Sequence, residues 1–331
     1  MVEHSRIIDA HTHFGRNILH SGDSTKIQYF ECPPEDYVVK AKMLGVTDVI
    51  ASYAPCPEYQ VGGQIERPCF WLQQNGQVLQ FRETYQIDST HIQREPAFPN
   101  PYSTANRLLL EMFHVLNSEN KDIKFYSLGL HHPLLDSEES VCDLLTNKTV
   151  VGLKLHGLAT HTGPEDVPLF VIKALRNTDK PIVVHTDTSR DNTPSSINTL
   201  FNRNDPLRWL QWSISNKVRI FLTHGARLCS DSMKIVSENE GKVLIGISPD
   251  VLLQAEPLRL KKNTDNYLRD LVSICPIKAL TFDIDYSWNV FDRTEWDKKD
   301  WETLSRIRKM IVKREDLNRV LYQNAAEFYK I

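Results

Sequence analysis

Eight short apolar runs recur along the chain: RIIDAH (6–11), TDVIASY (47–53), IKFYSLGLHH (123–132), VVGLKLHG (150–157), KPIVVHTD (180–187), VRIFLTHG (218–225), GKVLIGIS (241–248) and IKALTFDID (277–285). Each is too short and too continuously apolar for an amphipathic helix, and reads as a strand buried on both faces. Between them lie stretches with apolar residues three and four apart, which predict helices over Pro34–Leu44, Thr104–Asn117, Ser137–Thr146, Val167–Asn177, Pro206–Asn216 and Ser230–Asn239. Strands alternating with helices of this length make βαβ units and a parallel sheet. Eight such units are the count of a closed α/β barrel, a (β/α)8 fold; a doubly wound open sheet is the alternative.

Two stretches break the alternation. From Tyr53 to Thr104 the chain runs through Pro, Gly, Gln and aromatic residues, far longer than an ordinary βα connection. Following the second strand, residues 54–103 belong at the C-terminal face of a barrel, as an elaborated loop or lid or as a small subdomain. The tail from Lys299 to Ile331 reads as two helices laid over the barrel exterior, without a catalytic role.

The 331 residues, 41% hydrophobic and 24% charged, suffice for one large core and exclude disordered and fibrous classes. Length alone allows two domains, but barrels of this kind exceed 250 residues as one, so residues 1–331 are read as a single barrel carrying the insertion. The formal charge of −3 supplies no basic excess for nucleic acid. The start, MVEHSRIIDAHTHFG, lacks a secretory apolar stretch, and no later segment is apolar over the length a membrane crossing needs, so a cytoplasmic protein acting on a small molecule is expected. Six scattered cysteines without a CxxC pair read as free thiols.

The strongest chemical signal is Asp9-Ala10-His11-Thr12-His13. Residues two apart on a strand point the same way, so both imidazoles face one space, as half of a divalent-metal site does. His185, His224 and Asp285 end later strands in the same manner. Taken singly, each strand-end histidine is accounted for by hydrogen bonds to backbone in a polar mouth; together they converge, because the C-terminal ends of barrel strands share one rim. Four histidines and a carboxylate suit zinc first, with manganese or iron(II) as alternatives. Lys154 shares the inward parity of His156 on an otherwise apolar strand, and a buried lysine requires pairing, neutralisation or modification.

This set resembles the amidohydrolase superfamily of metal-dependent TIM barrels, which has His-x-His on strand one, histidines on strands five and six and an aspartate on strand eight. The likeness spans nearly the whole chain, and the terminal QNAAEFYKI resembles the closing helix of the amidohydrolase-related branch. The long insertion departs from that branch. The eighth strand offers two aspartates, and the branch's usual context there selects Asp285 over Asp283.

The resemblance implies one or two ions held by His11, His13, His185, His224 and Asp285, with Lys154 as a carbamate bridging two ions or as a cation beside the substrate. Asp285 would be the proton acceptor, and His224 would steady developing charge. Its implied activity is hydrolysis of an amide, lactone or phosphoester. Non-oxidative decarboxylation of an aromatic or unsaturated acid is the alternative, which Lys154 disfavours because one-metal decarboxylases of the branch generally lack it. A metal-binding barrel without turnover is a further alternative. His156, Arg227 and Trp288 are the first candidates for substrate contact, with Tyr53, His131, His132, Arg190 and Asp250 also just past strand ends. Barrels of this type often form homodimers.

Overall fold

The structure, a computed structural model, describes residues 6–20, 27–61, 64–75, 77–86, 92–186, 195–228, 230–248, 264–285 and 293–331. All eight predicted strands are present, as β1 (Ile7–His20), β3 (Val46–Tyr53), β8 (Lys124–Leu130), β9 (Val150–Leu155), β10 (Ile182–Val184), β11 (Ile220–Leu222), β12 (Val243–Ile247) and β13 (Leu280–Phe282). Neighbours pair in parallel in the order β13-β12-β11-β10-β9-β8-β3-β1. The sheet curls into a nearly closed barrel. Across the seam between β13 and β1 the Asp285 N–H donates to the His11 carbonyl at 3.1 Å, and the Ile284 N–H donates to the Asp9 carboxylate at 2.9 Å.

Local chemistry explains the helices that match most closely. Pro34 and Pro206 open the helices Pro34–Leu44 and Pro206–Asn216, where a missing N–H costs nothing. Gly45 ends the first of these in the left-handed conformation, φ 79°, returning its N–H to Ala41 and Lys42. The Asp205 side chain caps the second through the Leu207 N–H at 2.9 Å.

Departures from the pattern have identifiable causes. After Phe14, β1 runs on beyond the rim and pairs antiparallel with β2 (Ile27–Cys32), an arm the apolar runs did not announce. The insertion forms a four-stranded antiparallel sheet, in the order β4 (Tyr59–Val61), β5 (Gln64–Gln74), β6 (Gln77–Gln86) and β7 (Ile92–Pro96). On this sheet Arg67 is buried between Glu58 at 3.3 Å and Glu83 at 2.9 Å, so the cation is paired where it is desolvated.

The tail corrects the expectation of an exterior cover. Its helices begin at Arg293 rather than Lys299, and the last, Asn324–Tyr329, does not lie over the outside of the barrel. Ala325, Phe328 and Tyr329 join the barrel-interior cluster of Ile8, Ile50, Val183, Phe221 and Leu244, and the Tyr329 hydroxyl donates to the Ala10 carbonyl at 3.2 Å. A second, larger cluster fills the space between the strands and the surrounding helices. The apolar lower half of the barrel interior has to be closed against water, and two adjacent aromatics do so. Phe328→Ala is therefore expected to cost about 3–5 kcal/mol of unfolding free energy, read by denaturant titration. A change below ~1 kcal/mol would mean that the helix is an exterior decoration.

Candidate functional site

The polar residues of the barrel gather at the opposite, C-terminal end. His11 and His13 project from β1, Asp285 follows β13, and their ligand atoms all lie within 4.8 Å of one another. His13 Nε2 stands 3.5 Å from Asp285 Oδ1, His11 Nδ1 stands 3.7 Å from the same oxygen, and His224 Nδ1 lies 3.6 Å from Asp285 Oδ2. Two donors on a tetrahedral zinc at ~2.0–2.1 Å are roughly 3.3 Å apart, so the separations fit a shared ion with little rearrangement. His11 Nδ1 is buried and makes no hydrogen bond among the described residues, which leaves it available.

His185 follows β10 and His224 follows β11, and they meet edge to face with Nδ1 and Nε2 2.9 Å apart. His156, directly after β9, stacks flat on His185 at 4.1 Å. Lys154 is fully buried, with Nζ 2.7 Å from His11 Nε2. Asp283 is also fully buried, 3.7 Å from His11 Nδ1, and Gly246 makes room for it: a Cβ there would lie 2.5 Å from Asp283 Oδ2. The structure thus brings together His11, His13, Lys154, His156, His185, His224 and Asp285.

Burial dominates the electrostatics. It holds His11, His13 and His156 well below the ordinary imidazole range, with the Lys154 charge adding to the effect. All three are neutral near pH 7, the form that ligates metals. Burial also lowers Lys154 to about 7, against the pull of Asp285 and Asp283. His224 and Asp285 both adopt left-handed backbone, φ 58° and 54°, which non-glycine residues adopt only where the surroundings hold them. Such strain clusters at functional sites.

Three contributors escaped the sequence reading. Ser52, paired with His13 across β1 and β3, places its Oγ 2.8 Å from His13 Nδ1, which leaves Nε2 to face Asp285. Asp9 takes the Ile284 N–H across the seam and the Tyr37 hydroxyl from the first helix, and so fixes the segment that carries Asp285. Burial raises the Asp9 carboxyl to about 8, opposed by the Tyr37 hydrogen bond. The signals were faint: Asp9 stands two residues before His11, and Ser52 is the next-to-last residue of its strand. Ser52→Ala is expected to weaken metal affinity by roughly 10- to 100-fold with unchanged stoichiometry at saturation, measured by competition with a chromophoric chelator. An unchanged affinity would show that Ser52 does not orient His13.

Of the candidate wall residues, Tyr53 ends β3. His131 and His132 follow β8, where His131 Nδ1 lies 2.9 Å from Asp136. Burial lowers His132 to about 4, opposed by Asp136. Arg190, Asp250 and Trp288 lie outside the described residues, as does the side chain of Arg227.

No family model matches the chain. No curated protein matches it either. Solved structures do. A candidate 2-pyrone-4,6-dicarboxylic acid hydrolase from Pseudomonas putida superposes over 98% of this chain and 97% of its own, with TM-score 0.57 and 12% identity. The 4-oxalomesaconate hydratase of Rhodopseudomonas palustris covers 98% and 95%, with TM-score 0.56 and 13% identity. The 5-carboxyvanillate decarboxylase of Sphingomonas paucimobilis covers 91% and 84%, with TM-score 0.52 and 11% identity. At such identities the likeness establishes the fold: the chain is a (β/α)8 barrel built like these proteins, and the open-sheet alternative is set aside.

Proposed function

We propose that the chain is a metal-dependent hydrolase of the amidohydrolase type. The observation that carries this reading is the buried cluster of His11, His13 and Asp285 at the C-terminal mouth, with donor separations suited to one divalent ion. His185 and His224 complete the donor set, and Lys154 joins it if carbamylated. A divalent ion in such a site supplies Lewis acidity and lowers the pKa of water towards ~7, with zinc the first choice and manganese or iron(II) the alternatives.

The chain's own residues then divide the work. Asp285 accepts the proton of the attacking water and passes it to the leaving group. Ser52 and Asp9 hold His13 and Asp285 in place. With one ion bound His224 steadies the charge that develops on the substrate oxygen, and with two it serves as a ligand instead. Arg227 and Trp288 remain proposed substrate contacts on sequence position alone.

The superposed proteins are described by three different reactions, so the fold does not select among them. Lys154 favours hydrolysis, as bridging ligand of two ions. Its contact with His11 Nε2 also suits an unmodified amine beside one ion, the metal count of the decarboxylase reading. No helix among the described residues is long and apolar enough to cross a membrane. A small-molecule substrate, a cytoplasmic setting and a homodimer complete the reading, with residues 54–103 as an insertion that borders the mouth.

A panel of amides, lactones, phosphoesters and aromatic carboxylates tests the reaction class. Hydrolysis abolished by chelator and restored by zinc or manganese is the expected result. Release of carbon dioxide without hydrolysis of any panel member would replace the hydrolase reading by the decarboxylase one.

A further inference from the structure

After Leu155 the chain turns into a one-turn helix, Gly157–Thr160, and His156 caps it. The His156 Nδ1 accepts the Ala159 N–H at 3.2 Å; the same N–H also reaches the His156 carbonyl at 2.9 Å. A ring nitrogen that accepts carries no proton, so the single proton of this imidazole resides on Nε2. That Nε2 is buried without a hydrogen-bond partner among the described residues, on a residue 7% exposed whose ring lies flat against His185. A buried donor left unsatisfied is costly and calls for an explanation, and an absent ligand oxygen is the simplest one for a donor in this mouth.

The turn that sets this tautomer is gripped from outside by the inserted sheet. Trp71 on β5 and Gln80 on β6 are directly opposed across the hairpin and present their donors together. Trp71 Nε1 donates to the Leu158 carbonyl at 2.9 Å, and Gln80 Nε2 donates to the Thr160 carbonyl at 2.9 Å. The Trp71 ring also meets His161 edge-on at 4.6 Å. On the far side Asn204 donates to the Thr162 carbonyl at 3.0 Å and leaves no room for a side chain at Gly157.

We propose that Trp71 and Gln80 are positioning residues through which the inserted sheet holds His156 as a fixed Nε2–H donor to a carbonyl or carboxylate oxygen of the substrate. The inference rests on reading the barrel mouth as a substrate site. It makes the inserted sheet part of the binding apparatus, and it removes His156 Nε2 from the metal ligands, since a ligating nitrogen must offer a lone pair. Carbonyl and carboxylate compounds share the acceptor that such a donor requires, so both classes fit.

The test is nitrogen–proton correlation NMR on zinc-loaded protein labelled with ¹⁵N-histidine, in which the His156 signals are identified by their loss in His156→Gln. The expected spectrum is a single Nε2–H tautomer with a bare Nδ1. In Trp71→Phe, which keeps an aromatic ring and loses the N–H, and separately in Gln80→Met, the Nε2–H is expected to exchange with water roughly tenfold faster, the amount that one net hydrogen bond controls. An Nδ1–H tautomer or a zinc-bound Nε2 in the wild type overturns the proposal, as do His156 signals unchanged in both variants. Zinc content of the same samples separates the two readings. Zinc retained with an indifferent His156 sinks the positioning role alone, whereas the expected His156 behaviour without zinc uptake sinks the metal-enzyme reading alone.

Discussion

Asp285→Asn is expected to lower kcat by roughly 10²- to 10⁴-fold on the best substrate of the panel, the span one positioned proton acceptor controls. The substitution preserves shape and removes the negative charge with its basicity. The backbone at Asp285 is left-handed, φ 54°, a conformation asparagine tolerates as well as aspartate, so the strand end is kept. The carboxylate lies 3.5–3.7 Å from nitrogens of His11, His13 and His224, which places it to act both as ligand and as base. Kinetics should be read beside metal content, because a ligand change also weakens binding. Near-normal turnover with metal in place would move the acceptor role to Asp283, which shares the contact with His11.

The second large effect is on metal retention. Replacing His11 and His13 together by alanine deletes two neutral imidazoles from the cluster and leaves Asp285 with His224 and the His185 that His224 contacts. The double variant is expected to purify without stoichiometric metal, as seen by elemental analysis, while circular dichroism still reports the barrel. The fold tolerates the change because the apolar cluster beneath, from Ile8 to Phe328, is not touched. Full metal occupancy in the double variant would remove His11 and His13 from the ligand set.

The sequence disclosed the barrel because strands buried on both faces carry unbroken apolar runs, and each of the eight became a barrel strand. The candidate cluster was legible for the same reason: residues at strand ends share a mouth whatever their separation. What stayed hidden depends on pairing across distance. The arm β1–β2 continues a strand beyond the rim, where polar residues break the apolar run. The β5–β6 hairpin was marked by Asn75-Gly76, and Asn75 adopts φ 51° as a two-residue turn requires, but polar strands on either side concealed it. The helix Thr264–Ile274 buries Leu268 and Leu271 among polar neighbours, too sparse a stripe to announce itself. The closing helix shows an amphipathic face equally suited to the outside of a barrel or to its lower end; the contact of Tyr329 with Phe221 and the place of Phe328 in the same cluster decide, and no local pattern encodes them. Ser52, Tyr37 and Asp9 act through contacts of the same kind.

The central claim is a divalent-metal centre at the C-terminal mouth, and metal content per chain, measured by elemental analysis of protein purified without chelator, tests it most directly. Near two ions per chain is the result expected of the hydrolase reading with Lys154 as a bridging carbamate, and near one would leave Lys154 unmodified beside the substrate. Protein that carries no divalent metal, and takes up none when zinc or manganese is supplied, would contradict the account.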